Sequence, residues 1–337
     1  MSKDRCDLER ERRATNGKQS ARAHLLTIRE FVKGRDEEVW IEIRNESFKD
    51  YEDFRPATME DMTIREKAPG FDPGGMLIAE WNSKAVGSVQ AYVDRQRKEK
   101  KAYVAHLGVV PTFRRSGIGR ELAEKAIENL KSRGMQTAQC WIRDDKPIAK
   151  HLFESLGFKL IRVFSTMRRS LNTLPSSIGE NKEVMIRAME EGDEEIELFF
   201  KLGNEVMSEH FDFRPSTPEE WKHWTEHPDF NRRGMFFALL KGQPVGHAGT
   251  WIDSEFVKLK GIKRGFIDPM GVLKPYRRRG IGTALILRVL DYLKSKGMIE
   301  AELGVDDFNQ TEAIELYKKV GFKVIRKELT YVKKIAD

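Results

Sequence analysis

Two short segments carry the most legible chemistry in the chain: Arg114-Arg115-Ser116-Gly117-Ile118-Gly119 and Arg277-Arg278-Arg279-Gly280-Ile281-Gly282. Each follows an apolar run ending in Gly-Val (Gly108-Val109, Gly271-Val272) and precedes an amphipathic stretch. Glycines lack the Cβ that would keep successive backbone N–H groups from converging on an anion. The helix that follows adds its own unsatisfied N–H groups and positive dipole end, and the arginines add charge. A phosphate or pyrophosphate is the matching ligand; a tight strand-to-helix turn is the structural alternative. A dinucleotide fingerprint does not fit, because Leu122 and Leu285 hold the place of the third glycine, and no Gly-Lys-Ser/Thr makes a Walker loop.

The elements that position these segments come in duplicate. Asn45-Glu46 with Asp53-Phe54-Arg55-Pro56 returns as Asn204-Glu205 with Asp212-Phe213-Arg214-Pro215, an offset of 159. The offset becomes 163 at Gly117 and Gly280, and Gly157-Phe158-Lys159 returns as Gly321-Phe322-Lys323. Units of about 145 residues are whole domains rather than solenoid repeats. The expected division is a tail over 1–24, a first domain over 25–170, a linker over 171–182 rich in Pro and Ser, and a second domain over 183–337.

Within each unit the periodicity predicts a short strand (25–29, 184–187), then an amphipathic helix (37–48, 195–207). A second helix is capped by Thr58 or Thr217 with acids in its first turn. A hairpin follows (76–81 with 86–93; 235–240 with 245–252), then the apolar strand at 102–110 or 266–273. A long helix comes next, with Leu122, Ala126, Ile127 and Leu130, or Leu285, Val289, Leu290 and Leu293, on one face. Gly134 and Gly297 stand at its C-terminal end. A strand, a helix ending in Gly-Phe and a last strand close each unit. The fold class is α/β with a mixed sheet.

Composition bounds the reading. The 337 residues carry 60 Lys and Arg against 53 Asp and Glu, a net charge of +7. That charge is spread out rather than gathered in a basic block, so an anionic cofactor or acidic ligand accounts for it better than nucleic acid does. No apolar run is long enough to cross a bilayer, and the mixed-charge tail lacks a secretory h-region. Cys6 and Cys140, the two cysteines, do not make a disulfide framework. The expected compartment is the cytoplasm. No His/Cys/Asp spacing suggests a metal.

Taken together, Arg277-x-x-Gly280-x-Gly282 after Gly271-Val272, its twin Arg114-x-x-Gly117-x-Gly119, and the later Asn309, Ala313, Leu316-Tyr317 and Gly321-Phe322 resemble the GNAT acetyltransferase superfamily. The paired Asn-Glu and Phe-Arg-Pro segments are similar to its tandem-domain members, an architecture like that of mycothiol synthase. The resemblance implies two domains in tandem, each with a centrally splayed sheet flanked by helices, and acetyl-CoA as cofactor.

It also implies roles. Main-chain groups of Met270, Gly271 and Val272 would hold the pantetheine arm and thioester. Arg277, Arg278, Arg279, Gly280, Ile281 and Gly282 would hold the pyrophosphate, and Asn309 would touch the cofactor arm. In the first domain, Leu107, Val109, Arg114, Arg115, Gly117, Ile118 and Gly119 would do the same. Tyr317 matches the family's general acid. Asp268 is the candidate base, directly or through water, with Glu302 as alternative. Asp212 and Arg214 are candidates to pair a substrate amine and carboxylate, or else belong to a shared structural turn. In the first domain Phe153 stands where Tyr317 is, Ala105 where Asp268 is, and Asp145-Lys146 near the place of Asn309, so that copy lacks the acid. His106 and His247 read as packed strand residues.

The expected function is N-acetyl transfer to a primary amine by direct attack in a ternary complex. A non-catalytic acyl-CoA sensor or scaffold is the alternative. The acceptor is a small molecule or a protein amine, and the chain is a monomer with an internal pseudo-dimer or a homodimer.

Overall fold

The repeat in sequence returns as a repeat of elements in the computed structural model, which describes residues 26–175, 183–309 and 311–336. The predicted tail with Cys6, and residues 176–182 of the predicted linker, lie outside the described residues. The first half runs β1 (Leu26–Glu30), α1 (Glu37–Phe48), α2 (Met59–Glu66), β2 (Met76–Trp81), β3 (Lys84–Tyr92), β4 (Lys101–Val109), α3 (Ile118–Ser132), β5 (Thr137–Arg143), α4 (Pro147–Ser155) and β6 (Lys159–Ser170). The second runs β7 (Val184–Ala188), α5 (Asp193–Met207), α6 (Pro218–Thr225), β8 (Met235–Leu240), β9 (Gln243–Trp251), α7 (Ser254–Lys260), β10 (Arg264–Val272), α8 (Ile281–Ser295), β11 (Glu300–Asp306), α9 (Ala313–Lys319) and β12 (Lys323–Lys334). Helix α7 has no counterpart, and it accounts for the step in the repeat offset.

Local chemistry sets the boundaries. Thr58 accepts from the Asp61 N–H at 3.2 Å while Asp61 accepts from the Thr58 N–H at 2.7 Å, a reciprocal cap on α2. Thr217 and Glu220 repeat it on α6. The hairpin turns are tighter than the sequence suggested. Asn82 and Ser83, and Lys241 and Gly242, adopt left-handed φ, so β3 and β9 start two residues earlier than expected. Gly134 and Gly297 end α3 and α8 with φ of 78° and 79°.

The twelve strands form one sheet in the order β1-β2-β3-β4-β5-β12-β6-β11-β10-β9-β8-β7. The closing strands have therefore changed places. Strand β12 pairs antiparallel with β5, setting Tyr331 opposite Cys140, and β6 pairs with β11, setting Met167 opposite Leu303. The two exchanged strands also pair with each other at the centre, Leu329 opposite Val163. Tyr331 and Ile335 thus pack with Leu122, Ala126 and Leu130 in the core of the first half. Met167 and Leu171 pack with Leu285, Val289 and Leu293 in the core of the second. Each fully buried aliphatic chain contributes about 1.5–3 kcal/mol, so these crossings tie the two cores together. Helix α1, through Trp40 and Ile43, and α5, through Phe199 and Val206, cover the other face.

The sheet of each half is splayed. Strands β4 and β5 pair only from Lys101–Thr137 to Tyr103–Gln139. Strands β10 and β11 pair only from Arg264–Glu300 to Phe266–Glu302. Beyond those points each half has a gap between its central strands.

Candidate active site

In the second half the gap opens into a cleft of about 740 Å³. One wall is β10 beyond Phe266. A bulge between Ile267 and Met270 interrupts its pairing with β9 and turns Asp268 toward the cleft. Past the bulge, Leu273 donates to Val245 and Gly271 sits opposite His247, which directs their main-chain groups to β9. Alternation along a strand then directs those of Met270 and Val272 into the gap. Gly271 meets a packing demand instead: a Cβ there would run into Val206 of α5.

The loop from Val272 to α8 is folded as an anion cradle. Arg278 and Gly280 have left-handed φ of 62° and 76°, and α8 starts at Ile281, so the N–H groups of residues 281–283 lack acceptors within the helix. The Ile281 side chain is in the core, leaving only its backbone for a ligand. Gly282 lines the cleft, where a Cβ would stand 3.3 Å from Leu316. The arginines are partly committed. Arg277 folds back, donating to Val272 O at 2.9 Å and to Glu209 at 2.8 Å, while Arg278 pairs with Glu312 at 2.9 Å. Arg279 also has a partner of its own. Arg277 thus braces the loop, and the backbone forms the cradle.

Across the gap stand α9 and the loop before it. Asn309 lines the cleft and accepts from the Thr311 N–H at 2.7 Å. Tyr317 is 8% exposed and packs edge-on to Phe322. Its pKa is pushed up to about 12, first by burial and then by the negative charge of Asp268. The Asp268 carboxyl is open to the cleft yet walled by protein on most sides, and this poor solvation raises its pKa. The structure therefore brings Asp268, Tyr317, Asn309, the Met270–Val272 strand and the glycine loop to one cleft. His210, two residues before the candidate Asp212, also lines it; burial, then Arg277, lowers its pKa and favours the neutral ring. Phe164 of the exchanged β6 lines it too, a contribution no repeat alignment could have placed.

Glu302, the other candidate base, is ringed by Arg168 at 2.9 Å, Arg264 at 3.5 Å and Arg326 at 3.7 Å, which commits it to ion pairs. Asp212 and Arg214 are not brought to this cleft. Asp212 accepts from Lys101 at 2.6 Å and Gln139 at 2.9 Å, and Arg214 donates to Asp94 at 2.7 Å and Glu220 at 2.5 Å. Both reach across to the first half.

The first half keeps the loop geometry. Arg115 and Gly117 have φ of 61° and 87°, Ile118 is buried at the start of α3, and Gly119 follows on the same helix. Arg114 again folds back, to Val109 O at 3.0 Å and Ser47 O at 2.8 Å. Leu107 and Val109 pack beside the first core on β4. Phe153 fills the place of Tyr317 and packs on Phe158 at 5.1 Å. Asp145 pairs with Arg143 at 2.8 Å. His247 is fully enclosed against Phe199, and His106 faces a different cavity. Among the described residues no cluster could hold a metal ion, and no helix is long and apolar enough to cross a membrane.

A splayed mixed sheet with a glycine cradle at one end of the gap and a carboxyl–phenol pair in it is the framework of acyl-group transfer enzymes. The profile of the Acetyltransferase (GNAT) family matches residues 40–158 and 199–322, and the chain belongs to that family, with two GNAT-type domains in tandem. A mycothiol acetyltransferase of Thermobispora bispora is 33% identical over 136 residues, 40% of this chain and 46% of that protein. One of Thermomonospora curvata is 31% identical over 133 residues, 40% and 44%. The matched region is thus less than half the length of these curated relatives. In fold, a GCN5-related N-acetyltransferase from Sphaerobacter thermophilus superposes with a TM-score of 0.70 at 23% identity, covering 93% of this chain and 96% of that one. A tandem GNAT protein from the clavulanic acid biosynthesis pathway gives 0.66 at 16% identity, covering 93% and 99%.

Proposed function

We propose that the second domain, within residues 183–337, transfers the acetyl group of acetyl-CoA to the primary amine of an acceptor, by direct attack with both substrates bound. The observation that carries this is the meeting of Asp268 and Tyr317 in the cleft that ends in the Arg278–Gly282 cradle. Names of the curated relatives support acetyl as the group moved. The residues fit acetyl-CoA: a backbone nest and helix start suit a pyrophosphate, Asn309 lies beside the route of the arm, and gap-facing N–H groups of Met270 and Val272 suit a polarised carbonyl.

Acetyl-CoA supplies an activated thioester. Asp268, its carboxylate made more basic by poor solvation, takes the proton from the acceptor ammonium, directly or through water. The freed amine nitrogen bonds to the acyl carbon, and as the C–S bond breaks it gives up its second proton, by way of His210 or water, which replaces the one that Tyr317 delivers. A main-chain N–H from Met270 or Val272 stabilises negative charge developing on the acyl oxygen, where fixed donors count most. Tyr317, kept protonated by its raised pKa, gives its proton to the departing sulfur. His210 keeps a neutral ring beside the cleft and is a second station for the released proton. The first domain, without acid or base in the matching places, is proposed to bind CoA without fast transfer; Asp212 and Arg214 are proposed to join the halves. The test is release of free CoA thiol from acetyl-CoA with a panel of amines. Amine-dependent release that falls in Tyr317→Phe supports the reading, and release from no amine overturns it.

A further inference from the structure

A cavity larger than the cleft of Asp268 and Tyr317 lies elsewhere in the described residues. At about 1120 Å³ it is lined by α1, α2 and β4 of the first half together with residues of the second half such as Asp212, Arg214 and Trp224. Asp53, Asp61, Asp94, Asp212, Glu220 and Asp253 border it, and each is matched to a cation. Arg55 holds Asp61 at 2.7 Å and Asp253 at 3.0 Å; Arg214 holds Asp94 and Glu220; Lys101 holds Asp212; Arg143 and Arg326 hold Asp53 at 2.8 and 2.9 Å.

Two lining arginines are left over. Arg44 and Arg65 form no ion pair among the described residues. Arg65 donates to Gln90 at 2.6 Å and lies over the Trp40 ring; Arg44 lies over the Phe54 ring at 5.1 Å. Burial lowers the pKa of both, to about 10 for Arg65, and a neighbouring like charge adds to this in each: Arg55 acts on Arg44, with Asp61 opposing, and Arg44 acts on Arg65. The pKa of His106, lowered to about 4 by burial first, also falls under Arg65 and Arg44. Poorly solvated cations that repel one another and have no ion-pair partner are costly.

The fold does not require that cost. In the second half the matching positions are Gly203, Trp224 and Pro269, and the same elements form around them. Tyr92, Tyr103 and Trp141 stack in a row along another wall, with ring centroids 5.9 and 5.1 Å apart. A row of aromatic rings beside surplus guanidinium groups matches a small aromatic acid: ring edges pack on a ring face, and a carboxylate or phosphate accepts from planar forks.

We propose that the inner end of this cavity is a binding site for the anionic head of a small aromatic carboxylate or phosphate, held by Arg44 and Arg65. The site is separate from the transfer cleft and does not depend on the transfer reading.

The test is titration of the full-length protein, saturated with CoA to occupy the glycine loops, with benzoate and phenyl phosphate and with their neutral counterparts benzamide and phenol. One of the acids is expected to bind at least tenfold more tightly than its neutral counterpart, and which acid wins tells carboxylate from phosphate. Arg44→Gln and Arg65→Gln are each expected to weaken that binding at least tenfold, and Arg44→Lys to weaken it less. Amine-dependent CoA release should stay at the wild-type level in all three. Absence of acid binding up to millimolar concentration overturns the proposal. So does equal binding of acid and neutral compound in the wild type, a comparison that needs no variant, or acid binding untouched in well-folded Arg44→Gln and Arg65→Gln proteins.

Discussion

Arg214 of the second half donates to Asp94 of the first at 2.7 Å, and the pseudo-twofold returns the bond as Arg55 to Asp253 at 3.0 Å. Each arginine also holds an acid on its own side, Glu220 or Asp61, and that acid is the one that closes the cap of α6 or α2. One side chain thus joins a helix start to the opposite half. Asp94 is 8% exposed, so removing its arginine leaves a nearly buried carboxylate with only the Gln96 N–H at 3.0 Å and Arg97 at 3.9 Å. Arg214→Ala is expected to lower unfolding free energy by about 2 kcal/mol, the buried-pair cost discounted for the partial exposure of Arg214. Urea unfolding measures it; a change under half a kcal/mol would refute the role.

Tyr317→Phe removes only the hydroxyl and leaves the ring on Phe322. Turnover is expected to fall about 10²-fold or more, while CoA affinity measured by titration changes less than twofold.

Asp268 carries a sign that separates activity from stability. Its pKa is raised in the folded protein, so the stability it contributes is present below the unfolded value of about 3.9 and is lost as pH rises through the raised value. Asp268→Asn is therefore expected to raise the melting temperature at pH 7 while lowering kcat. In the wild type, the acid limb of kcat against pH should fall above the ordinary Asp range, and the variant should lack that limb.

His247 titrates the other way. Burial lowers its pKa to about 4, and neither ring nitrogen has a partner among the described residues. Between about 6.5 and that value the unfolded chain takes up a proton that the folded chain refuses. Stability should drop by about 3 kcal/mol as pH falls through this window. His247→Ser, the residue type at Ser88 in the first half, should flatten that part of the stability profile; an unchanged slope would show that other groups set it.

The exchanged strands make a prediction about halves. Residues 1–175 made alone would lack β12, and residues 176–337 alone would lack β6. Neither is expected to give a cooperative unfolding transition by itself, whereas co-expression should yield a complex that copurifies. Two well-folded separate halves would contradict the strand order.

Much of this was legible in the residues. Glycine spacing, the Thr58 and Thr217 caps and the amphipathic faces of α3 and α8 are local signals, and local geometry obeyed them. Tyr317 and Asp268 came from motif position, and the structure puts them in one cleft. Partnership was not legible. The pattern of β6 and β12 specifies a strand with a buried face but not which sheet takes it. The charges on Asp212 and Arg214 suit a ligand or a neighbour equally well until the neighbour is in place. The inward-facing pair Arg44 and Arg65 escaped notice because a charged residue on a helix ordinarily points to water.

Interlocked closing strands also constrain descent. A half with Phe153 in place of the phenol would ordinarily be free to diverge on its own. Here its final strand is a wall of its sibling's sheet, and Phe164 on that strand borders the cleft of Tyr317. Each copy is inherited as a structural part of the other.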